Sequence, residues 1–331
     1  MTDPDLLASS ADRLWAGLSR RLTGPLSIAR FNDEVRERQF ARFAGAFGPQ
    51  DIAAVYDLGR LSSAVARAVI PPHFIDIHSG GQLVKLADMQ SKSGKSSMTL
   101  LIEQLRSGAT IRVRELQTFD AGIAALVSEV QRVFEARSQL NLYLTPPATS
   151  GFAPHFDTTD VFIVQCTGGK QWTVFEQYAD QQTLPLMETP WEPERYKPQG
   201  AGTTMELTAG DVLYLPRGAM HTAACLNQTS LHLTISLSPL TVADVLVREV
   251  KRFAEANVAL RQRALWSLGA DTDALTAEIR RQFHELARVA DARDAVEAER
   301  RVFGADDGGG AGGGALVACL ADLEAKQRPK S

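Results

Sequence analysis

The stretch GFAPHFDTTDVFIVQCTGGKQWTVFE, residues 151–176, decides the fold. It contains two short runs rich in β-branched and aromatic residues, DVFIVQC and QWTVFE, which are separated by the Gly168-Gly169 pair. Two such runs joined by a glycine turn are typical of a β-hairpin. Residues 140–240 contain more runs of this kind, namely LNLYLT, TMELTAG, DVLYLPRG and LHLTISLS. Regular short strands with turn residues between them predict an antiparallel sandwich or barrel.

Two residues of metal-ligand type, His155 and Asp157, stand two apart in this stretch. In an extended chain this spacing places both side chains on the same face. A third ligand must come from elsewhere, and GDVLYLPRGAMHTA offers His221 after a Pro-Arg-Gly turn. A lone His-x-Asp pair is common by chance, and a lone histidine near a turn is usually not a ligand. Their combination in a β-rich region predicts two imidazoles and one carboxylate on one face of a metal, the arrangement of non-haem Fe(II) oxygenases.

The regions on either side of the β-rich centre have helical patterns. Residues 1–72 carry apolar side chains at helical spacing, so we expect an N-terminal helical segment before the central domain, residues 73–240. In residues 241–304, apolar positions recur every three or four residues, which predicts helices that form a bundle or a dimerisation surface. The glycine-rich run DDGGGAGGGA cannot bury a core, and residues 305–331 are therefore predicted to be a flexible tail.

Composition limits the classes of partner and the compartment. The 331 residues carry a formal charge of −4, which argues against a general binder of nucleic acids or anionic membranes. The three cysteines are few and widely spaced, which indicates free thiols in a reducing compartment. The N-terminus shows no secretory signal, and no apolar run approaches the roughly 18 residues of a membrane span. We therefore expect a cytoplasmic protein with no membrane partner and no nucleic-acid partner.

The run from Asn141 to Glu176, together with GDVLYLPRGAMHTA and SLHLTIS, resembles the JmjC oxygenases of the ribosomal-oxygenase type, also called cupin-4-like proteins. The resemblance is close over about residues 70–240 and looser over the helices that follow. It implies an α+β fold with a double-stranded β-helix (jelly-roll, cupin, JmjC type) as core, N-terminal helices and a C-terminal helical region. It also implies an Fe(II)- and 2-oxoglutarate-dependent dioxygenase that uses O2 and dimerises through residues 241–304. The catalytic metal ligands would be His155, Asp157 and His221.

A dicarboxylate co-substrate needs a cation near the metal, and Lys170 is the candidate. It follows the glycine turn and shares a strand face with Trp172 and Val174. A lysine on an apolar face needs an anionic partner, which the far carboxylate of 2-oxoglutarate would provide. The alternative is a hairpin-tip lysine in solvent, but the resemblance implies that the basic residue at this position binds the co-substrate.

Further polar side chains share strand faces by the same period of two. From the resemblance, four of them line the co-substrate pocket: Asn141, Tyr143, Thr234 and Ser236. The alternative is a set of inward polar groups satisfied by the backbone. His232 falls on the face of Thr234 and is interpreted as a neighbour of the site or a core residue, not as a ligand. Asp160 is interpreted as a substrate-binding residue or as a polar residue at a strand edge.

The resemblance implies oxidative decarboxylation of 2-oxoglutarate to succinate and CO2, coupled to hydroxylation of a substrate. The precedent in the family is an arginine or histidine side chain of a ribosomal protein. Related enzymes carry a winged-helix domain after the helical region, and the sequence after residue 304 leaves no room for one. Three hypotheses therefore remain. The substrate is a protein or peptide side chain, or it is a small molecule or natural-product peptide that is tailored, or the chain is a non-oxidative metal-binding cupin.

Overall fold

The computed structural model describes residues 17, 21–149, 151–225, 227–263 and 272–304. The chain divides into two compact units, Met1–Ser238 and Pro239–Ser331. The predicted flexible tail, residues 305–331, lies outside the described residues. Among the helices that are described, none is both long enough and apolar enough to span a membrane.

The first unit mixes short helices with many strands. In chain order its described elements are α1 (Ile28–Glu34), β1 (Ala41–Phe43), α2 (Pro49–Val55), α3 (Leu58–Ala66), β2 (Ile75–Ser79), β3 (Gln82–Lys85), α4 (Leu86–Ser93), α5 (Ser97–Arg106), β4 (Thr110–Val113), α6 (Ala121–Phe134), β5 (Ala136–Thr145), β6 (Asp160–Thr167), β7 (Gly169–Phe175), β8 (Gln177–Tyr178), β9 (Pro198–Gln199), β10 (Thr203–Thr208), β11 (Val212–Leu215), β12 (Met220–Ala224) and β13 (Ser230–Pro239), with 3₁₀ turns at Pro72–Phe74 and Leu116–Thr118.

The strands form two antiparallel sheets that pack face to face and a small two-stranded ribbon. The major sheet has the order β1-β11-β6-β13-β5-β4-β2-β3, and the minor sheet has the order β10-β7-β12. Strands β8 and β9 form the ribbon. Side chains of β6, β7, β10, β11 and β12 form one buried cluster between the two sheets. The core is thus a double-stranded β-helix within an α+β unit, as predicted.

Strand β6 shows why the DVFIVQC run is apolar at consecutive positions. Val161 and Ile163 point into the cluster between the sheets. Phe162 and Val164 point the other way, into the larger cluster that the major sheet shares with the helices. A strand that is buried on both faces reads as a continuous apolar run and not as an alternation. The same division holds for β11, where Leu213 and Tyr214 face opposite clusters.

The N-terminal segment departs from the expectation that residues 1–72 are helical. Strand β1 lies between α1 and α2 and pairs antiparallel with β11, with Ala41 opposite Tyr214. A three-residue strand is too short to show a period of two, so its sequence carries no strand signal. Its conformation comes from its partner, because it completes the edge of the major sheet beside β11.

The second unit contains helices α7 (Val242–Ala256), α8 (Thr272–Val289) and α9 (Ala292–Gly304), with a 3₁₀ turn at Val258–Arg261. Helix α7 begins with a capping box, because the Thr241 side chain accepts from the backbone of Asp244 while the Asp244 carboxylate accepts from the backbone of Thr241. Helices α8 and α9 both contact α7. The described elements of the second unit therefore form a small helical cluster.

Candidate metal centre

Three predicted ligands meet where the minor sheet faces β6. His155 and Asp157 precede β6, and His221 lies on β12. His155 and His221 are opposite each other in an isolated antiparallel bridge. The ligand atoms of His155, Asp157 and His221 all lie within 4.8 Å of one another. His221 Nε2 is 3.8 Å from Asp157 Oδ2. The structure therefore brings the three side chains together at the separation that one metal ion requires.

Both imidazoles are held in the orientation of a metal ligand. His155 Nδ1 lies 2.9 Å from the carbonyl oxygen of Ala153, and His221 Nδ1 lies 2.9 Å from that of Ala219. A carbonyl oxygen only accepts, so each Nδ1 carries the proton and donates it. Each Nε2 then keeps its lone pair for a metal. Hydrogen bonds of this kind fix the tautomer and the ring orientation of ligating histidines.

The electrostatics of the site also suit a divalent cation. Burial and the neighbouring His155 lower the pKa of His221 to about 4, which keeps its imidazole neutral at neutral pH. The Asp157 side chain is 40% exposed and supplies the negative charge. Among the described residues, these three form the one group of His, Cys, Asp or Glu arranged to hold a metal. Two nitrogens and one carboxylate oxygen on one side fit Fe(II) with an open opposite side.

A cavity of about 180 Å³ adjoins the three ligands, which is room for about six water molecules. Its walls include Val161, Ile163 and Trp172. Lys170 also lines the cavity and is only 2% exposed. The scale and shape of this space suit a small dicarboxylate with one end at the metal.

Lys170 is a buried cation whose polar contact is a hydroxyl. Its Nζ donates to Thr145 Oγ1 at 3.2 Å and lies 5.9 Å from the ring centre of Trp172. Within the described part of the chain, no acidic side chain forms an ion pair with it. Burial lowers its pKa to about 8, so the ammonium is destabilised by its surroundings. An anionic ligand in the cavity would supply the missing partner.

Two buried polar atoms around this cavity have no hydrogen-bond partner in the described residues. They are Trp172 Nε1 and His232 Nδ1, and both residues line the cavity. His232 stacks on Tyr143 with ring centres 4.9 Å apart, and burial lowers its pKa well below the usual value. Because buried polar groups are normally paired, these atoms also indicate a polar ligand. His232 is near the site without being one of the three grouped ligands.

The four other predicted pocket residues divide into two pairs. Tyr143 and Thr234 line the cavity together with Lys170. Asn141 and Ser236 line a neighbouring groove instead. Asn141 Oδ1 accepts from Glu115 N at 3.0 Å, and Ser236 Oγ donates to Gln139 O at 3.2 Å. Alternate residues of a strand share a face but stand about 6.6 Å apart along it, which is enough to separate the two pairs.

Arg112 and Phe152 are lining residues that the sequence did not single out. Arg112 lies on β4 and donates to Asp76 Oδ2 from Nε at 3.0 Å and from Nη2 at 2.7 Å. The sequence did contain a signal for this position. Because Ile111 and Val113 share the apolar face of the strand, Arg112 must point to the opposite face. Phe152 lies in the loop before His155, and its ring centre is 5.6 Å from that of His155. An irregular loop gives no periodic signal for such a position.

Comparisons with known proteins find similarity over part of the chain. The family model of the JmjC domain matches residues 114–245. Ribosomal oxygenase 1 of Danio rerio is 39% identical over 134 residues, which are 39% of this chain and 24% of that protein. The bifunctional lysine-specific demethylase and histidyl-hydroxylase NO66 of Dictyostelium discoideum is 35% identical over 147 residues, 43% of this chain and 28% of that protein. The chain thus spans about a quarter of the length of these relatives.

The crystal structure of Escherichia coli ribosomal oxygenase YcfD is similar in fold. It superposes with a TM-score of 0.51 at 15% sequence identity and covers 81% of this chain and 68% of that chain. At that identity the similarity shows the fold and does not extend to the substrate.

Proposed function

We propose, from the premise that residues 114–245 match the JmjC domain, that this chain is an Fe(II)- and 2-oxoglutarate-dependent oxygenase that hydroxylates a protein or peptide side chain. The observation that carries the proposal is Lys170, a buried ammonium without an acidic partner among the described residues, in the same cavity as the three grouped ligands. A metal site alone is compatible with many cupins. A metal site with a buried cation beside it is built for an anionic co-substrate.

The residues of the cavity have separate tasks in this proposal. His155, Asp157 and His221 would hold Fe(II), which supplies the O2 activation that couples decarboxylation of 2-oxoglutarate to substrate hydroxylation. Lys170 binds the far carboxylate, and the Thr145 hydroxyl orients its ammonium. Val161, Ile163 and Trp172 give the cavity apolar walls that exclude water from the reacting groups.

The groove beside the cavity supports a polypeptide as substrate. It is lined by Asp157 and by hydroxyl side chains, among them Thr158, Thr159 and Ser238. It shares Tyr143, Asp157 and Thr234 with the cavity, so a side chain laid in the groove lies next to a metal ligand. The relatives are also enzymes named for protein substrates, a ribosomal oxygenase and a lysine-specific demethylase and histidyl-hydroxylase.

The proposal includes a homodimer formed through residues 241–304 and a cytoplasmic location. Helices α7 and α8 expose large apolar side chains, among them Leu246, Val247, Ile279 and Phe283. A soluble monomer rarely exposes many such groups, and a second copy would cover them. Cys166 and Cys225 are buried free thiols, which accords with a reducing compartment.

Succinate formation tests the oxygenase. Purified protein receives Fe(II), 2-oxoglutarate and O2, with and without a peptide library, and His155→Ala serves as the inactive control. We expect succinate above the control and a mass increase of one oxygen atom on a subset of peptides. Hydroxylation of a small molecule, with no peptide modified, would support the tailoring alternative. No succinate above the control under any condition would contradict the oxygenase and favour the non-oxidative cupin.

A further inference from the structure

The turn Pro216–Ala219, between β11 and β12, forms hydrogen bonds with two of the three predicted metal ligands. Gly218 N donates to the backbone oxygen of Asp157 at 2.9 Å. Ala219 O accepts from His221 Nδ1 at 2.9 Å. The turn therefore binds the backbone of Asp157 and the imidazole of His221. A shift of the turn would move the carboxylate and the imidazole relative to each other.

A fully buried carboxylate holds this turn. Arg217 N donates to Asp160 Oδ1 at 2.9 Å, next to the Gly218 N–H that donates to the Asp157 carbonyl oxygen. Asp160 is 0% exposed, and Arg36 Nε is 3.6 Å from its Oδ2. Two successive backbone N–H groups of one turn thus bind two residues that are three apart in the chain. Two adjacent hydrogen bonds therefore join the turn after β11 to the start of β6 and the segment before it.

Asp160 has no solvent exposure, so its side chain offers no surface to a substrate. It is the first residue of β6 and pairs with Leu237 of β13 inside the major sheet. Burying a carboxylate costs several kcal/mol unless hydrogen bonds and charges offset it. Burial accordingly raises its pKa, while the Arg217 N–H opposes that rise. An apolar side chain would avoid that cost. We therefore expect the hydrogen bond that the carboxylate accepts to have a function.

We infer that Asp160 is a positioning residue for the metal centre: through Arg217 N it fixes the turn that sets Asp157 and His221 at ligand distance. Asp157 is the ligand that most needs such support. It lies in the segment between His155 and β6, outside any strand, and its side chain is 40% exposed. His155 and His221 hold each other through their backbone bridge, whereas the backbone of Asp157 is held by Gly218.

A matched carboxylate elsewhere provides the control. Asp211 precedes β11, whereas the Pro216–Ala219 turn follows it, so the two aspartates act at opposite ends of one short strand. Asp211 is 2% exposed and accepts from Gly45 N at 2.8 Å and from Thr208 N at 3.0 Å. It is therefore also a buried carboxylate that holds backbone N–H groups. Among the contacts of the described residues, none joins the Asp211 side chain to His155, Asp157 or His221.

The test uses Co(II) as the probe and the full chain as the protein. Co(II) affinity is measured by calorimetry, and ligand geometry by the visible absorption bands of the bound ion. Asp160→Leu keeps the branched side chain with the same number of heavy atoms but removes the acceptor, and we expect a 10- to 100-fold weaker affinity, about the usual effect of losing an outer partner of a ligand. Asp160→Asn keeps an acceptor for Arg217 N and should restore most of the affinity. Asp211→Leu should lower thermal stability and leave Co(II) affinity and spectrum unchanged.

A measurement on the unmodified protein covers the case in which Asp160→Leu does not fold. Coupling between a binding site and the element that supports it is reciprocal, so Co(II) should slow amide hydrogen exchange at Arg217 and Gly218. Exchange at Gly45 and Thr208, the amides held by Asp211, should not change. Equal Co(II) affinity for wild type and Asp160→Leu, an equal loss in Asp211→Leu, or no slowing at Arg217 and Gly218 would each overturn the inference.

The inference depends on the metal site of the proposed function, and the two fail differently. A wild-type protein that binds no Co(II) would refute the metal site and both proposals together. A wild-type protein that binds Co(II) as tightly as Asp160→Leu refutes the positioning role alone.

Discussion

His155 and His221 are bound to each other through their backbones as well as facing the same space with their side chains. His155 N donates to His221 O at 2.9 Å, and His221 N donates to His155 O at 2.7 Å. Opposite residues of an antiparallel pair point to the same face of a sheet. Their ring centres are 4.4 Å apart. The two imidazoles are thus placed by sheet pairing, which is more rigid than the conformation of a loop.

Removal of either imidazole should abolish metal retention. We expect His155→Ala and His221→Ala to weaken Co(II) binding by more than about 100-fold, because loss of an outer partner alone costs about 10- to 100-fold. Calorimetric titration measures the loss. His284→Ala is the control, since His284 is exposed on α8 of the second unit. Unchanged Co(II) affinity in the two ligand variants would show that the metal binds elsewhere.

Lys170→Met should separate co-substrate binding from metal binding. The methionine has about the same volume as the buried lysine side chain, is one atom shorter and carries no charge. A hydrogen bond to a charged group contributes about 1.5–3 kcal/mol, so we expect 2-oxoglutarate affinity to fall by about 10- to 150-fold. Co(II) affinity should stay the same. Lys95→Met is the control, because Lys95 lies on the surface and pairs with Glu103. If 2-oxoglutarate affinity is unchanged in Lys170→Met, the co-substrate role of Lys170 is wrong.

The affinity for 2-oxoglutarate should decrease at alkaline pH. Burial lowers the pKa of Lys170 to about 8, so in the unliganded protein the ammonium loses its proton as the pH rises through that value. Only the charged form attracts the far carboxylate. Affinity should therefore be constant below about pH 8 and fall above it by up to about tenfold per pH unit. Isothermal titration of the Co(II)-loaded protein between pH 6.5 and pH 9.5 measures the profile.

Lys170→Arg is the control for this profile. A guanidinium stays charged throughout the range, so the variant should show a flat dependence even if its absolute affinity is lower. A wild-type profile that is equally flat to pH 9.5 would contradict a titration of Lys170 near pH 8 in the unliganded protein.

The sequence identified the residues whose positions follow from local periodicity. His155 and Asp157 share a face because their segment is extended, and Lys170 follows the glycine turn between β6 and β7. The predicted hairpin pairing of these two runs is wrong, because β6 lies between β11 and β13 in the major sheet and β7 lies between β10 and β12 in the minor sheet. The strand that carries His221 was not predicted, because MHTAA has no apolar alternation. Strand β12 exists through its pairing with β7, in which His221 lies opposite Val174. Such a register depends on a partner far away in the chain.

The same limit explains which pocket residues remained ambiguous. A period of two assigns Thr234 and Ser236 to one face of β13, but it does not say where along the strand the cavity ends. That boundary depends on how the two sheets stack, so Thr234 lines the cavity while Ser236 binds the Gln139 carbonyl. The role of Asp160 was also beyond local reasoning, because its partner Arg217 is 57 residues away.

Gly218→Ala should destabilise the fold through a steric clash at the turn that holds Asp157. Gly218 has a φ of +84°, and a Cβ there would lie 2.3 Å from the Gln182 carbonyl oxygen. Gly200→Ala is the matched control, since Gly200 has a φ of +75° and open space around the same position. The left-handed conformation costs alanine about 1–2 kcal/mol at either site. Thermal unfolding should show this loss for Gly200→Ala and a clearly larger loss for Gly218→Ala. Equal losses would show that the clash relaxes freely.

Phe283→Glu should convert a dimer into a monomer. Phe283 is 58% exposed on α8, and Ile279 lies one turn before it on the same face. A charge in the centre of an apolar contact is costly to bury, so the dimer should dissociate in the variant. Size-exclusion chromatography with light scattering at micromolar concentration measures the mass. Val69→Glu, at an exposed apolar position of the first unit, should leave the dimer intact. A monomeric wild-type protein, or a Phe283→Glu protein that stays dimeric, would contradict an interface on this helix face.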